Sequence, residues 1–146
     1  MAYNYKTQSY LAYARGIDFA NAVEVMENSN VYLMIPEIVN LTLCCELLIK
    51  AILIMEKQGI EGIKGHKLDE LFSMLQPLTQ GIIKSNASIF DWDSFIKKSS
   101  NAFIEWRYLH EKDEVKCISI CNLQKFFYSL KAYYEKAYPL ASLAED

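Results

Sequence analysis

A single all-α domain, an up-and-down bundle of four to five helices over residues 1–146, is the fold this sequence predicts, and three observations predict it. Apolar residues recur at three- and four-residue spacing along most of the chain. Only five glycines and three prolines interrupt it, and none of them marks a linker. The one stretch that alternates as a strand does, Lys116-Cys117-Ile118-Ser119-Ile120, has no second stretch to pair with. The length suits one domain, large enough to bury roughly 68–70% of the surface its unfolded chain exposes.

The first helix is predicted from about Thr7 to Glu27, with Leu11, Ala14, Ile17 and Val25 near one side. Asn28-Ser29-Asn30 reads as a turn, because short polar side chains bond to nearby backbone and so end one helix and start the next. The second helix covers roughly Val31 to Gln58, with Pro36 either kinking it or sitting in its first turn. Its apolar stretch from Val31 to Met55 is broken by Pro36, Glu37, Asn40, Glu46 and Lys50, which predicts a buried core helix rather than a membrane span. Gly59, Gly62 and Gly65 form the next loop. A third helix starts near His66, where Asp69 and Glu70 suit its positive N-terminal end. Leu68, Leu71, Phe72 and Leu75 give it an apolar stripe, and Pro77 stops or bends it.

Thr79 to Ser85 reads as a short extra helix before a loop at Asn86–Ser88. A fourth long helix is predicted from about Asp91 to Lys112, with Trp92, Phe95, Ala102, Phe103, Trp106 and Leu109 inward. The last, from about Asn122 to Leu140, repeats Leu123, Phe126, Phe127, Leu130, Tyr133, Tyr134 and Ala137 at helical spacing. Such an aromatic stripe reads as core rather than as a cofactor box. Long helices joined by short connections favour antiparallel packing.

Composition narrows the classes of function. Hydrophobic residues make up 52% of the chain and aromatics 13%, more than a small monomer with a polar surface needs, which points to a homodimer. A net charge of −3 and a pI of about 5.4 argue against a broad basic surface but leave room for a local basic cleft. The four cysteines, Cys44, Cys45, Cys117 and Cys121, form no C-x-x-C pair. No metal site and no cofactor is expected from them. The opening MAYNYKTQSY is polar and aromatic, unlike a signal peptide. Free thiols, a cytoplasmic location and no membrane partner are the corresponding expectations.

Three groups of residues could carry chemistry. Thr42, Glu46 and Lys50 lie four apart on the second helix, so they share a face, and Glu46–Lys50 has the favoured orientation for an ion pair. This face is either a solvated edge or a polar group inside the bundle, in which case Glu46 needs a partner such as His66 or Arg107. His66 stands at a helix N-terminus, which favours its neutral form; it is either a bridging histidine or a catalytic one. Arg107, His110 and Glu111 are three and four apart on the fourth helix. Arg107 could hold a phosphate through its planar fork and His110 could serve as general acid or base. The alternative is an Arg107–Glu111 surface pair beside an exposed histidine.

Taken in order, Asn40…Cys45-Glu46-Leu47-Leu48-Ile49-Lys50, then Gly65-His66-Lys67-Leu68…Leu71, then Ala102-Phe103-Ile104-Glu105-Trp106-Arg107-Tyr108-Leu109-His110-Glu111 resemble the three signature helices of the HEPN family (higher eukaryotes and prokaryotes nucleotide-binding). The resemblance spans roughly Tyr5 to Tyr138. It implies a helical bundle, commonly dimeric, and a metal-independent ribonuclease in many members, acting in toxin–antitoxin, phage-defence or RNA-processing systems. Other members are binding or scaffolding domains. Active members carry an arginine followed, after four to six residues, by a histidine, with the two brought together across a dimer cleft. Arg107 matches that arginine. Lys112, Asp113 and Glu114 stand where the histidine would, and His110 follows after only two residues. The Trp-Arg-Tyr…Glu form resembles a subgroup with weak or no ribonuclease activity.

The resemblance therefore implies a degenerate, non-catalytic module that binds a nucleotide, RNA or a protein partner such as a cognate nucleotidyltransferase. The alternatives are a ribonuclease using Arg107 and His110 from paired subunits, and a purely structural oligomerisation domain. Glu46, Lys50, His66 and Glu111 are the expected binding or polar network.

Dimerisation is directly testable. Sedimentation at micromolar concentration should show a dimer. A clean monomer across the accessible concentration range would remove both the dimer and any composite site built from two subunits.

Overall fold

The computed structural model describes residues 4–31, 33–101 and 119–140. Among these it is all-helical, with no strand and six helices rather than four to five. They are α1 (Tyr5–Glu27), α2 (Met34–Lys57), α3 (Leu68–Ser73), α4 (Pro77–Ala87), α5 (Trp92–Ser100) and α6 (Ile120–Ala137). Of these, α4 is the short extra helix expected at Thr79 to Ser85; it begins two residues earlier, because Pro77 starts it rather than merely ending α3, and it runs on to Ala87, into the loop expected at Asn86–Ser88. The proline's missing N–H costs nothing at the first helical position, where no intrahelical acceptor exists. Pro36 likewise sits in the first turn of α2 without breaking it. The part of the expected fourth helix beyond Asn101 lies outside the described residues, as does most of the alternating stretch from Lys116; Ile120 itself opens α6.

The helix starts are fixed by short polar side chains. Asn4 Oδ1 accepts the Thr7 N–H at 2.8 Å, and Ser119 Oγ accepts the Asn122 N–H at 3.1 Å. For α4 the acceptor comes from another helix. Glu56, near the end of α2, takes the Gln76 N–H at 2.9 Å and the Thr79 hydroxyl at 2.6 Å. A carboxylate at a helix N-terminus is favoured by the dipole as well as by the bonds themselves.

Cross-links between helices fix the topology. Ser9 reaches Ala51, and Gly16 lies against Cys44 and Leu48, so α1 and α2 run antiparallel. Cys45 faces Leu123, while Ala51 and Tyr134 share Ser9, so α6 runs parallel to α2. Ser129 reaches Ile83 and Tyr133 reaches Thr79, so α4 opposes α6. The four longest helices therefore alternate up, down, up, down, with α3 and α5 as short supports.

At the centre lies α2. Ile38, Leu41, Cys44, Cys45, Leu48, Ile49 and the run from Ala51 to Ile54 are all buried. By length and composition α2 could cross a membrane; in this fold its apolar surface is instead largely covered by neighbouring helices. Burial pushes the Cys44 thiol up to about 12 and that of Cys45 well above its ordinary value, which keeps both neutral and unreactive. Cys44, Cys45 and Cys121 are all free thiols.

The inward face of α1 departs from expectation. Ser9, Tyr13, Gly16 and Val23 are buried, whereas Leu11 and Val25 are exposed. Gly16 lets α2 approach closely, and that approach decides which face of α1 turns inward, leaving Leu11 and Val25 outside. Ala137 in α6 is exposed too. Tyr134 is fully buried, stacks on Tyr13 with ring centres 4.7 Å apart, and bonds Ser9 Oγ at 2.9 Å. Because Ser9 already donates to the Ala51 carbonyl at 2.7 Å, the Tyr134 hydroxyl is the donor to Ser9. Tyr13 in turn donates to Glu135, which Lys131 pairs at 3.3 Å. Burial and that bond hold the Tyr13 phenol well above its usual range.

Two glycines separate packing from propensity. A β-carbon on Gly16 would collide with Leu48 Cδ2 and touch the Cys44 carbonyl oxygen at 3.5 Å, whereas one on Gly81 would meet nothing within 4 Å. Gly16→Leu should therefore lower stability by about 1–3 kcal/mol or more through overpacking. Gly81→Ala, in an exposed helix interior, should raise it by roughly 0.5–1 kcal/mol. Urea unfolding of the two variants checks both signs. A neutral Gly16→Leu would show that the α1–α2 seam is not closely packed.

Candidate functional site

Of the three polar residues four apart on α2, two pair with each other and one stands apart. Thr42 is buried and spends its hydroxyl on the Ile38 carbonyl at 2.8 Å, a bond within its own helix. Glu46 and Lys50 pair at 3.2 Å. The Glu46 side chain is only 8% exposed, so a lone carboxylate there would be costly. His66 supplies the second partner: its Nδ1 lies 3.1 and 3.2 Å from the two carboxylate oxygens. Its ring is 73% exposed while Lys50 is 21% exposed, so the cluster grades from a buried carboxylate outward to a wet imidazole.

Local sequence explains how His66 arrives there. Gly62 and Gly65 take φ of +79° and +98°, a region open to glycine at little cost, and this lets the chain double back after α2. Two residues past His66, Leu68 is fully buried and starts α3. The Asp69 N–H then donates to Ser100 Oγ at 2.7 Å, and that hydroxyl donates to the Ile96 carbonyl at 2.6 Å. The histidine loop is thus fastened at one end by Glu46 and at the other by the last turn of α5.

A carboxylate facing Nδ1 selects the tautomer that carries its proton there when the ring is neutral, which makes Nε2 the acceptor atom of the ring. The arrangement can therefore orient an imidazole toward a ligand. Lys64 and Lys67, both exposed, flank it in the same loop. Arg107, His110 and Glu111 lie outside the described residues. Among the described residues no group of three or more His, Cys, Asp or Glu side chains could hold a metal ion.

The tie from Glu56 to Thr79 and Tyr133, and the bond from Tyr13 to Glu135, escape a reading by periodicity, because each joins residues far apart in sequence. A faint signal exists for the second. Lys131 and Glu135 sit four apart inside an aromatic stripe, where charges are otherwise rare.

Removing the anchor tests the cluster. Glu46→Ala should lower stability by about 1.5–3 kcal/mol, the range for hydrogen bonds to charged groups, read as a drop of several degrees in the thermal midpoint followed by circular dichroism. His66→Ala, at an exposed ring, should change it far less. An unchanged midpoint for Glu46→Ala would mean that the buried carboxylate contributes nothing to the fold.

Compared with known proteins, the chain matches no family model, no curated protein and no solved structure.

Proposed function

We propose that this chain is a HEPN-like helical module that binds a nucleotide or RNA without cleaving it, through the face that carries His66. The observation that carries this reading is the Glu46–Lys50–His66 cluster. A buried carboxylate holds an exposed imidazole in place, and the loop around it adds the exposed cations Lys64 and Lys67. A held imidazole acceptor beside exposed cations suits an anionic ligand with a donor at its edge, as a phosphate next to a sugar hydroxyl or a base amine would be. The net charge of −3 limits such binding to a local face rather than the whole surface.

The sequence supports the non-catalytic form. Arg107 and His110 are three residues apart in sequence, which on the helix predicted there would be less than one turn of about 5.4 Å. Glu111 stands four from the arginine, where it can occupy the guanidinium in place of phosphate. Glu111, Asp113 and Glu114 add negative charge that repels an RNA backbone.

Purified protein incubated with single-stranded RNA should leave it intact, and the same RNA should bind with an affinity that falls as salt rises. Lys64→Ala with Lys67→Ala should reduce the slope of log affinity against log salt by about 1.4, two contacts at about 0.7 each on a single strand. Binding that ignores both lysines would remove the proposed face. Degradation of the RNA, abolished by Arg107→Ala and by His110→Ala with the thermal midpoint unchanged, would replace this reading with the ribonuclease.

A further inference from the structure

The turn between α4 and α5 places an aromatic ring in water. Ser88 caps α4 and Asp91 caps α5, both at left-handed φ of +53° and +52°. Between them Ile89 packs against the core, and Phe90 is 95% exposed. A lone exposed apolar side chain is common on protein surfaces; what sets this one apart is a flat aromatic face standing beside a cavity.

Behind the ring lies a cavity of about 240 Å³, lined by Phe90, Asp91, Ser94, Lys98, Ser99 and Asn122 among others. Its polar side chains are largely uncommitted. Asp91 spends one oxygen on the Ser94 N–H at 3.4 Å. Among the described residues its other oxygen, the Ser94 hydroxyl, the Lys98 ammonium and the Asn122 side-chain amide form no hydrogen bond or ion pair within the chain. Ser99 is fully buried at the cavity wall, and its hydroxyl has no partner among the described residues. Native proteins leave few buried hydroxyls unsatisfied, and each such case calls for a reason.

We infer that this cavity is a nucleobase site, in which a base stacks on Phe90, presents its polar edge to Asp91, Ser94, Ser99 and Asn122, and directs its phosphate to Lys98. The size fits one base rather than a helix or a peptide segment. An aromatic platform with mixed donors and acceptors is the chemistry by which unpaired bases are held. Asp91 accepts from an exocyclic amine, which favours adenine or cytosine over uracil. One bond links the two regions: the Asp69 N–H, three residues past His66, donates to Ser100 at the end of the helix that carries Lys98 and Ser99. The inference rests on the nucleotide-binding reading, and extends it from a phosphate-holding face to a base-holding pocket.

Calorimetric titration with AMP, and with inorganic phosphate alone, tests it on the intact protein, alongside anisotropy of a labelled eight-residue oligoadenylate. AMP should bind one per chain, and inorganic phosphate should neither bind measurably nor compete. Phe90→Ala, at an exposed position that the fold does not need, should weaken both AMP and oligoadenylate about ten-fold or more. Ser99→Ala should weaken AMP about five-fold while the thermal midpoint holds or rises, because an unsatisfied hydroxyl is removed from the free protein. AMP affinity unaltered by Phe90→Ala overturns the inference. So does a Phe90→Ala variant that merely turns a dimer into a monomer in sedimentation, with no AMP bound by either form, since a second copy then covers the ring. Oligoadenylate binding that needs Lys64 and Lys67 but ignores Phe90 sinks the pocket alone. AMP binding that needs Phe90 with no RNA bound upholds the pocket and sinks the RNA-binding face.

Discussion

Covering α2 on nearly every side is the constraint from which the rest of the architecture follows. Twelve of its residues are buried, from Ile38 to Ile54, and they go round the helix rather than along one stripe. One neighbour cannot hide such a surface. It is enclosed mainly by α1 and α6, with α3 packing against it as well. Burying apolar surface at roughly 25 cal/mol per Å² drives that enclosure, and the close fit of Gly16 against Leu48 shows how tightly the seam between α1 and α2 is drawn.

A helix so enclosed has little tolerance for polar groups, so those along its covered length are spoken for. Thr42 bonds back to its own helix, Glu46 takes Lys50 and His66, and Glu56 caps α4 and holds Thr79. The two carboxylates do different work. Glu56 joins α2 to the up-running α4 and through Thr79 to Tyr133 of α6. Glu46 fastens the loop that leads into α3. Positional order in that loop thus derives from the core, since the residue that orients an exposed imidazole is itself immobilised by packing. This is how a small helical scaffold can present a rigid polar feature at its surface.

The tyrosines act as a second tie across the bundle. Tyr134 sits with its ring against Tyr13 and its hydroxyl on Ser9, while Tyr13 reaches Glu135 on α6. Each brings a large apolar area together with one polar atom that finds its partner, so the interior gains area without an orphan group. Ser99 stands out against this background as a buried hydroxyl without a partner among the described residues.

Local sequence was enough to determine the helical class, the two longest helices to within about three residues at either end, the glycine-rich loop after α2, and the four-residue spacing that lets Glu46 pair with Lys50, while it left His66 and Arg107 open as the further partner. Each depends on short-range rules: three- and four-residue spacing, left-handed glycines, and the need of a carboxylate on an apolar helix for a partner. Tertiary structure alone decided the rest. Leu11 and Val25 fit an apolar stripe on α1 as well as Tyr13 and Val23 do, and only the approach of α2 at Gly16 selects which face turns inward. Pro77 is compatible with a stop or a start, and Glu56 arriving from another helix favours the start. The cavity behind Phe90 draws on α5 and the first turn of α6, which the chain separates by some twenty residues. No periodicity encodes such a meeting, because it depends on how whole helices pack and not on the order of residues within them.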